Sequence, residues 1–180
     1  MHYPTEAAKT LSDQWHGDKV SPQVFFGNIS NAIKALQALD VVKKTLFYGK
    51  PGYTPLESHG RIDNAPQLLS DITGLTEQDA ARLIHGIIGA ATEAGELLEA
   101  LLAMFETCEG DAVNLFEEVG DVKWYLAILS NLPAPYGFEW GADEARNIEK
   151  LRQRYPDKFT SEAAIDRDTA AERKILEGGQ

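Results

Sequence analysis

The amino-acid sequence predicts an all-α fold, organised as a bundle of helices. Two long segments carry apolar residues at helical spacing, helix start signals precede both of them, and no segment alternates as a strand would. With 180 residues, the chain can bury a substantial core within one main domain. We expect this domain at residues 21–160, after an N-terminal appendage at 1–20 and before a C-terminal helix or tail at 161–180.

The first long helix is predicted at residues 22–48. Ser21-Pro22 is a start signal, because proline is well tolerated in the first helical turn, and Gly49-Lys50-Pro51-Gly52 ends the helix. Its apolar residues recur at helical spacing and predict a stripe that faces the core. This stripe consists of Val24, Phe25, Ile29, Ile33, Leu36, Leu39, Val42 and Leu46.

Shorter segments surround the two long helices. A short helix is predicted at residues 5–15, and Ser161 is expected to start a last amphipathic helix near the C-terminus. Residues 49–66 are rich in Gly and Pro and include His59 and Arg61. We interpret them as a surface connector, with a lid over a site as the alternative.

The second long helix is predicted from Thr76 to about Glu106, with Thr76 as its N-cap. Glu93 and Glu96 lie off its apolar stripe, on a flank occupied by small residues. A solvated flank usually carries longer polar side chains, so this flank is predicted to face another helix or a cavity. The apolar stripe predicted as core consists of Ala80, Ile84, Ile87, Ala91, Ala94, Leu98, Leu101, Leu102 and Phe105.

A third helix is predicted at residues 112–131, close behind the second. Its second half is apolar nearly all round, which predicts a central place in the bundle. Glu118, Asp121 and Tyr125 fall on one stripe of this helix. Because helices joined by a short turn pack antiparallel, this stripe is expected to face the acids of the preceding helix.

The acidic residues are unusually concentrated in these two helices. Between Arg82 and Lys123 there are nine acidic residues and no Lys or Arg, including the pairs Glu93-x-x-Glu96 and Glu118-x-x-Asp121. Two such pairs on facing helices would repel one another without a cation. Carboxylate oxygens suit a hard divalent cation such as Mg²⁺, which usually completes its coordination with water and phosphate oxygens. The pattern therefore predicts a metal site that handles phosphate groups.

Composition excludes several other classes of function. A net charge of -11 and a pI near 4.8 oppose binding to nucleic-acid polymers and to anionic membranes. The single cysteine, Cys108, permits no intrachain disulfide, which is typical of a reducing compartment and favours the cytoplasm. Neither a secretion signal nor a membrane-spanning segment is expected, because long uninterrupted apolar runs do not occur.

Three motifs occur in order along the second half of the chain. They are Thr92-Glu93-Ala94-Gly95-Glu96-Leu97, Phe116-Glu117-Glu118-Val119-Gly120-Asp121 and Asn147-x-x-Lys150-Leu151-x-x-Arg154-Tyr155-Pro156. Together they resemble the MazG-type, all-α nucleoside triphosphate pyrophosphohydrolases. The signature of that family is ExxE, a spacer and ExxD, and the 21 residues between Glu96 and Glu118 suit its spacer. The resemblance covers residues 76–160, and single ExxE matches carry no weight beside the ordered set.

The resemblance implies hydrolysis of a nucleoside triphosphate, ribose or deoxyribose, to the monophosphate and pyrophosphate, for nucleotide pool control or house-cleaning. It implies Mg²⁺, or alternatively Mn²⁺, as cofactor, and a bundle completed in a homodimer or homotetramer. A neighbouring subunit could then contribute Lys43, Lys44, Lys50 or the Arg167-Asp168 region to the site. The metal ligands that the resemblance implies are Glu93, Glu96, Glu118 and Asp121. The residue that would orient or deprotonate the attacking water is Glu93 or Glu117. The implied substrate contacts are Tyr125, Asn147, Lys150 and Arg154.

Two other functions stay open at the level of sequence. A carboxylate-bridged di-iron bundle would also use inward-facing glutamates, but its usual Glu-x-x-His motif is absent and His85 is expected to be a packed or surface residue. A noncatalytic helical module that oligomerises is the other alternative. The preferred base, whether alarmone-like nucleotides are accepted and the number of subunits are not encoded in a recognisable pattern.

Overall fold

The computed structural model describes residues 2–12, 15–50, 52, 62 and 64–178. Within these ranges every regular element is helical, which confirms the all-α fold class. His59 and Arg61 lie outside the described residues. The α-helices are α1 (Tyr3–Ala8), α2 (Pro22–Tyr48), α3 (Ala65–Thr73), α4 (Glu77–Thr107), α5 (Ala112–Ser130), α6 (Ala142–Arg154), α7 (Ser161–Ile165) and α8 (Thr169–Leu176), with a 3-10 turn at Gly17–Lys19.

The chain forms two compact units. The central unit contains residues 20–138, and the terminal unit combines residues 1–19 with 139–180. The predicted domain at 21–160 extends across this division and remains a prediction. None of the helices in the described ranges is both long and apolar enough to span a membrane.

Helix α4 is the centre of the central unit, and it packs against α2, α3 and α5. The prediction that α5 occupies the central place is wrong, since its extensive helix contacts in the described residues are with α4. Trp124 in the apolar half of α5 is 55% exposed. An apolar surface all round a helix therefore does not mean that every side is covered within one chain.

The helix starts follow the predicted capping chemistry. The Ser21 hydroxyl accepts a hydrogen bond from the Val24 amide at 3.3 Å, and Thr76 accepts one from Asp79 at 3.1 Å. Gly49, with φ of 66°, ends α2 in the left-handed conformation that glycine adopts without strain. These contacts explain why the boundaries of α2 and α4 agree with the sequence prediction.

The predicted core stripes of α2 and α4 are wrong at several positions. Ile87 and Phe105 on α4 are 54% and 52% exposed, and Val24 and Leu46 on α2 are also exposed. The buried face of α4 is instead the flank of small and acidic residues. The small side chains on this flank allow α2 and α5 to approach α4 closely. Packing therefore depends on side-chain shape as well as on hydrophobicity. The buried residues of α4 are Ala80, which belongs to the predicted stripe, and Gly86, Gly89, Thr92, Glu93, Gly95 and Ala100.

The shorter helices differ more from the prediction. The N-terminal helix ends at Ala8, well before the predicted residue 15, and the predicted last helix is divided into α7 and α8. Helix α3 was not predicted from the sequence. It contains only nine residues and ends at Gly74, which has a φ of 74°. A segment this short offers too few turns for an apolar period to be recognised.

Candidate metal and substrate site

Helices α4 and α5 form an antiparallel pair that brings the acidic motifs together. Gly86 lies against Leu129, and Gly89 lies against Tyr125, so residue numbers rise along one helix as they fall along the other. A Cβ atom on Gly89 would lie 2.0 Å from two ring carbons of Tyr125. Glycine is therefore required for the close approach that places the two motifs opposite each other.

Three of the four predicted metal ligands form a triad of converging carboxylates. Glu93, Glu118 and Asp121 each offer an oxygen, and these oxygens all lie within 4.8 Å of one another. Glu93 and Glu118 are each only 7% exposed, whereas Asp121 is exposed. Glu96 is not part of this triad, but its charge acts on Glu118. We call Glu93, Glu96, Glu118 and Asp121 the carboxylate cluster.

The carboxylate cluster is electrostatically strained. Burial, followed by the charges of Glu96, Glu93 and Asp121, raises the pKa of Glu118 from its ordinary 4.5 to about 7. Burial and the charge of Glu93 also raise the pKa of Glu96. Oxygen donors with excess negative charge fit a hard divalent cation such as Mg²⁺, which would relieve the repulsion. No histidine belongs to the triad found among the described residues, unlike a di-iron site built on Glu-x-x-His.

Lys43 of the same chain reaches the carboxylate cluster from α2. Its Nζ donates hydrogen bonds to Glu93 Oε1 at 2.7 Å and to Thr92 Oγ1 at 2.8 Å, and the residue is 2% exposed. Burial alone would lower the pKa of Lys43, but the hydrogen bond to Glu93 and the ion pair with Asp40 hold it above its ordinary value. The positive charge missing from residues 83–122 thus comes from another helix of the same chain, without a neighbouring subunit.

Asp40 is a residue of this site that the sequence analysis missed. Its Oδ1 is buried and lies 3.0 Å from Lys43 Nζ as an ion pair, although no hydrogen bond of good geometry reaches that oxygen. Asp40 also pairs with the half-exposed Lys44. A signal was present, because Asp40 and Lys43 occupy core-facing positions in the spacing 33, 36, 40, 43 and 47. Charges at core-facing positions are rare unless they are paired.

Tyr125 links the carboxylate cluster to a group of aromatic rings. It is buried, its hydroxyl lies 3.2 Å from that of Tyr48, and its ring centroid lies 5.0 Å from Lys43 Nζ. Burial and the hydrogen bond with Tyr48 raise the pKa of Tyr125 to about 12. His85 stacks on Phe47 with ring centroids 4.0 Å apart, as expected for a packed histidine. Tyr125 is therefore held as a neutral phenol beside the acids.

The other predicted substrate residues lie in the terminal unit. Asn147 donates a hydrogen bond to the Tyr3 hydroxyl at 2.8 Å. Arg154 forms a two-pronged ion pair with the buried Glu172, with nitrogen–oxygen distances of 2.7 and 2.6 Å. Lys150 is half-buried and forms no ion pair with another described residue. Their role in substrate binding remains a prediction, and Arg154 would have to leave or share Glu172 to fulfil it.

Glu117, the second candidate for handling water, is exposed on α5. Its charge contributes to the raised pKa of Glu118. Glu93 differs from it in two ways, because Glu93 is buried within the carboxylate cluster and Lys43 holds one of its oxygens.

Comparison with protein families identifies the domain that contains these motifs. Residues 82–159 match the family described as MazG nucleotide pyrophosphohydrolase domain. The matched segment covers α5, α6 and most of α4, and it includes all four acids of the carboxylate cluster. Comparisons with curated proteins and with solved structures give no significant match. Residues 82–159 are therefore similar to a MazG nucleotide pyrophosphohydrolase domain, which supports the family that the ordered motifs indicated.

Proposed function

We propose that this protein hydrolyses nucleoside triphosphates, ribose or deoxyribose, to the nucleoside monophosphate and pyrophosphate, with Mg²⁺ bound at the carboxylate cluster. The observation that carries the proposal is the approach of Glu93, Glu118 and Asp121 to within 4.8 Å inside the matched domain. Mn²⁺ has the same preference for oxygen ligands and is the alternative cofactor. Control of nucleotide pools or removal of unwanted nucleotides is the corresponding cellular role.

The positions of the acidic side chains support separate roles for them in metal binding and in orienting water. Glu93, Glu118 and Asp121 would hold the metal, with Glu96 completing the negative surface beside Glu118. Bound Mg²⁺ would neutralise phosphate oxygens and make water more acidic. Glu93 is the better candidate for orienting the attacking water, because it belongs to the triad, whereas Glu117 is exposed on the helix surface.

The residues proposed to contact the substrate are Tyr125 on α5 and Asn147, Lys150 and Arg154 on α6. The phenol of Tyr125 is a neutral hydrogen-bonding group next to the acids. On α6, Lys150 is the cation best suited to hold the outgoing phosphates, since Arg154 is paired with Glu172 and Asn147 with Tyr3. We retain all three α6 residues as proposed substrate contacts.

We further propose a homodimer or homotetramer located in the cytoplasm. Exposed apolar residues on one side of α5 support self-association, because Val113 and Phe116 are 80% and 70% exposed and lie near Trp124 in helical spacing. Light scattering after size-exclusion chromatography should give a mass of at least twice 19.8 kDa. A monomer at micromolar concentration would contradict the proposed assembly.

Product analysis with a panel of nucleoside triphosphates tests the proposed reaction. With Mg²⁺ the products should be pyrophosphate and the monophosphate, and Glu96→Gln or Asp121→Asn should lower kcat/KM by at least about 100-fold. Glu99→Gln is the matched control, because Glu99 lies one turn after Glu96 and bonds to Gln37 at 3.0 Å instead of joining the carboxylate cluster. Orthophosphate as first product, or no hydrolysis of any nucleotide, would refute the proposal.

A further inference from the structure

The ammonium group of Lys43 already occupies part of the space around the carboxylate cluster. It is bonded to Glu93, one of the three residues whose oxygens converge. The side chain is 3% exposed, so water does not screen its charge effectively. Any divalent cation held by Glu93 would therefore lie close to a second, buried positive charge.

We propose that Lys43 is a positioning residue that competes with the divalent cation for Glu93 and thereby sets the metal affinity of the site. The inference rests on the proposed function, because it concerns the metal that this function requires. Lys43 neutralises Glu93 and permits the acidic face of α4 to be buried while no metal is bound. The same charge then opposes the arrival of a cation with two positive charges.

Asp40 gives Lys43 a second partner on its own helix. The distance from Lys43 Nζ to Asp40 Oδ1 is 3.0 Å, against 2.7 Å to Glu93 Oε1. That Asp40 oxygen is buried and has no well-aligned hydrogen bond, so it has spare capacity to accept one. Lys43 can consequently stay paired with Asp40 when the Glu93 carboxylate binds the metal instead of the ammonium group.

Calorimetric titration with Mg²⁺ alone, in the absence of any nucleotide, tests the competition. Lys43→Met keeps the length of the apolar stem but removes the charge, and it should lower the Kd for Mg²⁺ by at least about tenfold. Lys44→Met is the matched control, because Lys44 also pairs with Asp40 from α2 but is 40% exposed. The control should change the Kd by less than about twofold.

The direction of the change separates competition from a purely structural role. Loss of a structural contact would loosen the site and weaken Mg²⁺ binding, whereas loss of a competitor strengthens it. Unchanged or weaker binding by folded Lys43→Met would overturn the inference while leaving the proposed function intact. Failure of the wild-type protein to bind Mg²⁺ or Mn²⁺ at all would instead refute the metal site on which both proposals depend.

A measurement on the wild-type protein decides the matter if Lys43→Met does not fold. With ¹⁵N in the lysine side chains, one ammonium resonance should exchange its protons slowly without metal and persist in Lys44→Met. Saturation with Mg²⁺ should accelerate that exchange at least about tenfold, because the hydrogen bond to Glu93 is given up. Unaltered exchange at saturation would show that the ammonium and the cation do not compete.

Discussion

Replacing Glu118 with glutamine should stabilise the metal-free protein at neutral and higher pH. Glu118 is buried among like charges, which raises its pKa from 4.5 to about 7. The folded protein therefore binds a proton that the unfolded chain releases between these pH values. The favourable contribution of the protonated carboxyl is complete below pH 4.5 and is lost as the pH rises through about 7.

The size of the effect follows from the same pKa. A change from 4.5 to about 7 corresponds to about 3 kcal/mol at about 1.4 kcal/mol for each tenfold change in the protonation equilibrium. Solvent near the exposed Asp121 screens part of this repulsion, so we expect Glu118→Gln to raise the free energy of unfolding by about 1–3 kcal/mol at pH 8. The advantage should vanish near pH 4.5, where the wild-type carboxyl is neutral.

Urea denaturation at several pH values, in EDTA and in Mg²⁺, is the assay. His85 has a lowered pKa, caused by burial and then by Lys43, so its contribution to stability falls as the pH decreases. This contribution is common to both proteins and cancels in their difference. Mg²⁺ should stabilise the wild type and have little effect on Glu118→Gln. Equal or lower stability of the variant at pH 8 in EDTA would refute the repulsion among these acids.

Two further predictions concern packing and the terminal unit. Gly89→Ala should lower the free energy of unfolding by about 2–3 kcal/mol, because the new Cβ atom would lie 2.0 Å from the Tyr125 ring. Gly27→Ala is the control, since a Cβ atom there would have no neighbouring atom within 4 Å. It should leave the stability unchanged or raise it by about 1 kcal/mol. Equal effects of the two in urea denaturation would contradict the proposed close approach. Glu172→Gln should destabilise the folded protein by about 2 kcal/mol at pH 7, because the variant loses the ion pair with Arg154. Arg154, followed by Arg167, lowers the pKa of Glu172 to about 2. The difference in stability between wild type and variant should therefore disappear as the pH falls from 4.5 to about 2. Thermal unfolding across this pH range measures the loss, and a difference that persists at the lowest pH would rule out this ion pair as its source.

Much of the local structure could be predicted because it depends on neighbouring residues along the chain. Ser21 and Thr76 cap their helices through backbone amides three residues later, and Gly49 ends a helix through its own conformation. The alignment of Glu118 with Tyr125 on one stripe follows from the helical period, and both side chains are buried.

The wrong predictions about the core of the long helices concern surfaces that meet distant parts of the chain. Ile87 and Phe105 have the hydrophobicity of core residues, yet α2 and α5 approach the opposite, small-residue flank of α4. The spacing of its own helix places Lys43 on the core-facing side, but it does not indicate which acid neutralises the buried charge. Its partner Glu93 lies 50 residues further along the chain, and only the packing of α2 on α4 brings them together.

The sequence by itself determined the all-α class, the long helices and the order of acidic motifs that identifies the family, because each depends on residues within a few helical turns. The tertiary structure alone decided which face of α4 is buried, which carboxylates converge and which cation neutralises them. The charges and the helical periodicity of the residues can be read from the sequence. Burial, and the pKa values that follow from it, arise only where separate helices exclude water together.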